Sequence, residues 1–160
     1  NKWYEQNVKI IEGLMKIEQI HLLIKYHFNQ DEYSINTLKE KYESDRVAFV
    51  DKRQAIEKYI EEADIVITNP STVIYDAMLM NRIIVAIIDG TQVPLKKELD
   101  FITCMDEEEA VNLINKLIEN ENMWVNRLDR QSSYVNEFLD FEADDVNVIM
   151  TRTLCEKLGK

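Results

Sequence analysis

Pro70 constrains this chain more than any other residue. It follows the β-branched run Ile65-Val-Ile-Thr68 and precedes Ser71-Thr-Val-Ile-Tyr-Asp-Ala-Met-Leu-Met80. Proline has no amide hydrogen for a ladder, so a central strand must end by Asn69. A short Ile/Val run without polar alternation suits a parallel sheet covered on both faces. The residues beyond the turn read as a helix opening at Ser71, with Ser71 or Thr72 as a hydroxyl cap for its orphan amides. A helix N-terminus then stands at the carboxyl end of a parallel strand, where ligands gather in open α/β sheets and where an anion is favoured.

The rest of the chain repeats this alternation. Residues 1–16 place Trp3, Val8, Ile11, Leu14 and Met15 on one helical face. Gly13 within that helix costs about 1 kcal/mol relative to alanine, which fits close packing on a neighbour. Strands are expected over 20–26, 46–50, 65–68 and 83–88, with a short edge strand over 101–104. Helices are expected over 34–42, 54–62, 107–119 and 123–139, and a last one from Asp144 or Asp145 to Leu158, with Gly159 as its stop. Asp89-Gly90 reads as a turn, and residues 92–100 as loop or a short helical turn. Asp106 is the expected cap of the 107–119 helix, whose three leading glutamates favour the positive helix end.

The predicted fold is therefore α/β: a Rossmann-like parallel sheet with helices on both faces and extra helices over 107–158, all in one domain over residues 1–160. Such a sheet normally begins with a strand before its first helix. None precedes Trp3, and a start at Asn1 rather than Met reads as a piece of a longer protein.

At the predicted carboxyl edge stand Lys25, His27 and Asn29, then Asp51, Lys52 and Arg53, then Thr68, Asn69, Ser71 and Thr72, then Asp89 to Thr91. Hydroxyls, amides and cations together are what a diphosphate needs. Asp76 follows about one and a half turns into the helix, where a carboxylate can accept from both hydroxyls of a ribose. Plainer roles exist for each. Ser71 and Thr72 can be caps only, Asp76 a solvated charge or a partner of Arg82, His27 a bonded loop residue, and Lys52 and Arg53 solvent-exposed. No Gly-rich phosphate loop, trustworthy Ser/His/Asp order or zinc-ligand spacing is present.

Composition narrows the choices further. A net charge of −11 disfavours a non-specific nucleic-acid binder. No apolar run nears the roughly 18 residues of a membrane-spanning helix. Cys104 and Cys155 are far apart and read as free thiols in a reducing compartment, which with the acidity points to the cytoplasm.

Ile24-Lys-Tyr-His27, the segment from Ala63 to Ala77 and Ile83-Ile-Val-Ala-Ile87 together resemble the C-terminal domain of GT-B fold glycosyltransferases. The closest similarity is to the CDP-glycerol glycerophosphotransferase and capsule or wall polysaccharide group, and nucleotide-sugar 2-epimerases are similar in layout. The resemblance covers residues 20–90. It departs at Phe28, where the family has proline, at Asn69, often aspartate, and at Arg82-Ile83 in place of Lys-Pro. It implies a nucleotide-activated sugar or glycerol donor, with Asn69, Ser71 and Thr72 at the diphosphate, Asp76 at the ribose, Lys25 and His27 near the phosphates, and His27 as the catalytic candidate. It further implies no metal and no cofactor beyond the donor, an N-terminal acceptor domain outside this chain, and peripheral membrane association of the whole protein. The fragment alone is then expected to be inactive. Two other readings stay open: an epimerase using Asp51 and His27, and a non-catalytic interaction or dimerisation module.

Overall fold

Short apolar strands alternate with amphipathic helices along the whole described chain. The computed structural model describes residues 2–27, 29–88 and 97–138. The order is α1 (Lys2–Leu14), β1 (Leu22–Lys25), α2 (Glu32–Tyr42), β2 (Val47–Val50), α3 (Glu57–Glu62), β3 (Ile65–Thr68), α4 (Val73–Leu79), β4 (Ile83–Ile87), a 3-10 helix (Lys97–Ile102), β5 (Thr103–Cys104), α5 (Glu107–Glu119) and α6 (Glu121–Phe138). All strand pairing between these elements is parallel. β1 pairs with β2, and β3, β4 and β5 form a second sheet in that order.

β4 is the centre of the molecule. Its five residues are all buried, and alternate side chains point to opposite faces. Ile84 and Ala86 pack with Ile60 of α3, Ile74 and Met78 of α4 and Tyr134 of α6. Val85 and Ile87 pack with Leu14 of α1 and with Ala110 and Ile114 of α5. A third cluster joins Ile11 of α1 and Leu38 of α2 to Val47, with Leu22 and Ile24 against it. Helices α1, α2 and α5 therefore cover one face, and α3, α4 and α6 the other. This is the expected α/β arrangement of parallel sheets flanked by helices.

A buried strand must satisfy its backbone on both edges. β3 serves one edge of β4 over its first four residues. On the other edge β5 reaches only Ala86 and Ile87. The positions that it leaves uncovered are bonded by α6. Gln131, 1% exposed, accepts from Ile84 N at 3.0 Å and donates to Arg82 O at 2.7 Å. Arg127, one turn earlier, donates to Ile84 O at 3.0 Å and also to Phe101 O. Two side chains thus continue a ladder that no strand completes. Burial draws the Arg127 guanidinium down to about 10, with the nearby Arg130 charge adding to the effect, and its hydrogen-bond partners are neutral carbonyls.

Local chemistry sets the element ends. The Asp31 carboxylate caps α2 by accepting from Ser34 N, and Asp106 caps α5 by accepting from Glu109 N, both at 2.8 Å. The α5 boundaries match the expectation, whereas the Asp31 cap starts α2 two residues earlier than 34. α4 ends on Asn81, whose φ is 56°. Asn81 N donates to Met78 O and Arg82 N to Ala77 O, each at 2.9 Å, the paired bonds that turn a chain sharply out of a helix. Asparagine tolerates this left-handed conformation. α3 is shorter than the expected 54–62, because the Asp51 carboxylate accepts from Arg53 N at 2.7 Å and holds a turn there. α6 starts at Glu121, two residues earlier than expected, because the Asn120 side chain caps it by accepting from Met123 N. The expected turn at 89–90, residues 92–96 and the last helix lie outside the described residues.

A Cβ on Gly13 would stand 2.7 Å from Val111 Cγ2, and valine is stiff at χ1. Gly13→Ala is expected to destabilise the fold by about 1–3 kcal/mol from overpacking, which outweighs the gain of about 1 kcal/mol in helix propensity. Gln131→Leu strands a buried N–H and a buried C=O and is expected to cost about 2 kcal/mol or more. Urea denaturation checks both, as a lowered midpoint at constant slope.

Candidate functional site

The carboxyl ends of the strands carry two separate groups of candidate residues. The first surrounds the turn between β3 and α4. The Thr68 hydroxyl donates to Asn69 O at 2.8 Å and lies 3.3 Å from the Ser71 hydroxyl. Asn69 donates its side-chain amide to Ile87 O at 3.1 Å, tying the turn to the end of β4. The helix opens later than expected. Thr72 is its cap residue, its own backbone is already helical, and its hydroxyl makes no capping bond. Neither Ser71 nor Thr72 therefore acts as the predicted side-chain cap. Both are exposed at the edge of the turn.

Asp76 lies in the first turn of α4 and is partly buried. Burial raises its pKa above the ordinary carboxyl value, and the nearby Glu57 charge adds to the effect. Among the described residues it has no ion-pair partner, so the alternative pairing with Arg82 does not form. The Arg82 Nε is itself buried without an acceptor among the described residues.

The second group lies at the ends of β1 and β2. The Lys25 ammonium donates to Lys52 O at 3.2 Å and Asp51 O at 3.5 Å, so it closes the end of β2. Lys52 pairs with Glu32 at 2.9 Å, and this bond holds the Glu32 carboxyl below its usual range. Arg53 is exposed. Tyr26, Glu32, Asn36, Lys52 and Arg53 border a cavity of about 290 Å³. His27 is exposed past β1, and its Nδ1 accepts from Asn29 N at 3.3 Å. Ser71 and Thr72 thus lie on the turn before α4 and Asp76 in its first turn, Asn69 braces that turn, and Lys25 and His27 belong to the neighbouring group.

A larger cavity of about 550 Å³ lies beside β5, lined by Phe101, Thr103, Asp106, Glu109, Leu113 and Arg127 among others. Arg127 bonds Phe101 O, and the Glu109 carboxylate accepts from Met105 N at 2.6 Å. Burial pushes the Cys104 thiol up to about 11, which keeps it protonated and unreactive. Sequence reasoning missed Arg127 and Gln131. Their signal is faint: polar residues four apart on the same α6 stripe as the buried Tyr134.

No family model matches the chain, and no curated protein and no solved structure matches it.

The raised Asp76 pKa has a definite sign. As pH falls, the folded state takes up this proton before the unfolded chain does, so the ionised carboxylate weakens the fold at neutral pH and the penalty vanishes at low pH. Asp76→Asn is expected to raise Tm at pH 7, and the gain should shrink as pH approaches the unfolded carboxyl value of about 3.9. Thermal melts of both proteins across that range check it.

Proposed function

We propose that the chain is the nucleotide-diphosphate donor-binding domain of a GT-B type sugar or polyol-phosphate transferase acting in surface polysaccharide synthesis. The observation that carries this reading is the turn after β3. There the exposed hydroxyls of Ser71 and Thr72 are left over from helix capping, and a partly buried carboxylate without a donor among the described residues follows in the next turn. α4 has only seven residues, so the hydroxyls and loop amides carry more of the anion binding than the helix dipole does.

Asp76 strengthens the reading. A carboxylate that loses water, faces another acid and gains no hydrogen bond is unfavourable in the isolated chain. Two hydroxyls of a ribose would supply the donors that it lacks, so ligand binding relieves a penalty present in the fold. Asn69 keeps the turn in place through Ile87 O. Lys25 and Lys52 fix the neighbouring strand end, and Arg53 is the exposed cation there. The roles in turnover divide accordingly. Hydroxyls and amides at the β3 turn stabilise negative charge on the departing nucleotide, and His27 is the candidate proton carrier at the same sheet edge. An acceptor site and its base belong to another part of the protein.

Isothermal calorimetry with CDP and UDP tests the reading on full-length protein. Ser71→Ala/Thr72→Ala is expected to weaken binding at least tenfold, the loss of about 1.4 kcal/mol that one or two hydrogen bonds to a charged group supply. Asp76→Ala should weaken CDP and UDP but leave pyrophosphate unaffected, because only the nucleotides carry a ribose. Equal affinity of the double variant and the parent overturns the proposal.

A further inference from the structure

The two sheets leave a slot between them, and we infer that the slot is a strand-binding site that takes an apolar extended segment joined to the N-terminus of α1. Three observations support this independently of the proposed nucleotide site.

The first is the pairing. Among the described residues no ladder joins β1 to β3. Leu22 N donates to Arg46 O, so Leu22 and Ile24 turn their backbone groups to β2, and Leu23 and Lys25 turn theirs away. Ile83 N donates to Asp64 O, so Asp64, Val66 and Thr68 serve β4, and Ile65 and Ile67 face away from it. Two open edges result, each offering alternate N–H and C=O groups. Yet side chains from both sides, Leu22 of β1 and Ile65 and Ile67 of β3, pack against the same Val85 cluster.

The second is the hand of the crossovers. Parallel crossovers are right-handed. α2 lies on the α1 face, and α3 and α4 lie on the other. If β1 to β2 steps one way under α2, then β2 to β3 and β3 to β4 step the opposite way under α3 and α4. The spatial order is β2, β1, slot, β3, β4, β5. α1 lies on the α2 face and runs into β1, so a strand before α1 that obeys the same hand sits on the β3 side of β1. That position is the slot.

The third is burial. α1 straddles the slot, with Ile11 in the cluster of Val47 and Leu14 in the cluster of Val85. Every residue of β3 is only partly buried, although β4 beside it is fully buried, and Leu23 of β1 is 50% exposed. An inserted strand would lie about 4.8 Å from each neighbour and run parallel to both. The occupant must be β-branched and apolar, because one of its faces would meet Leu14, Ile10 and Ile17.

The test adds such a segment to the whole chain. Thr-Val-Ile-Val-Val-Thr is fused ahead of residue 1 through a four-residue loop, and the control fusion carries proline at the third and fifth strand positions. Amide hydrogen exchange is read at Leu23, Lys25, Ile65 and Ile67, with light scattering alongside. The proposal expects at least tenfold slower exchange at these amides in the strand fusion than in the control, in a monomer. Equal exchange in the two fusions overturns it. So does protection in the unfused chain that rises with concentration as a dimer forms, since a second copy then fills the slot.

Discussion

The backbone of β4 must be bonded on both edges while water is excluded from both faces, and the rest of the fold follows from this. β3 satisfies one edge with a ladder. β5 is too short for the other, so α6 is fixed by side chains that act as backbone surrogates. The Gln131 amide has the donor and acceptor spacing of a peptide group, and Arg127 extends the series with one more donor, to Ile84 O. The position of α6 is then set by hydrogen-bond direction as well as by the apolar contact of Tyr134. The same Arg127 bonds the 3-10 helix at Phe101 O and so ties three elements together.

The sequence made some of this legible and hid the rest, for physical reasons. β3 ends at Thr68, as the rule against proline in a central strand requires, and α5 begins after Asp106, because carboxylate cap and acidic first turn are both local signals. Local signals also compete. Thr72 has the composition of a cap, but the turn through Asn69 and Pro70 gives it helical backbone angles, and its hydroxyl cannot reach back to the following amides. Asp51 is a strand-end acid on paper, yet its bond to Arg53 N shortens the next helix. Gln131 and Arg127 left only a faint periodic signal, since nothing in residues 121–138 names partners more than forty positions upstream.

The candidate site divides along the same line. Its residue types and its place at the carboxyl edge of a parallel sheet could be read from strand ends alone. Which residues meet could not. Lys25 and Asn69 were expected beside a ligand, and both bond backbone carbonyls, one at the end of β2 and one at the end of β4. Each thereby stiffens a loop. Ser71, Thr72 and Asp76 are left with unused polar capacity on a braced turn, a division between support and contact that suits a binding loop held by a rigid scaffold.

The bonds from α6 to β4 also have a kinetic side. They join residues 47 and 49 positions apart, so the outer edge of the most buried strand is the last part of the ladder that a growing chain can close. Until Gln131 has emerged from the ribosome and α6 has docked, Arg82 to Ile84 present open backbone groups on an Ile-rich strand, the kind of edge that recruits other chains. The distance in sequence that makes α6 hard to foresee thus defines a window during synthesis in which the half-finished sheet depends on its neighbours in the cell to leave it unpaired.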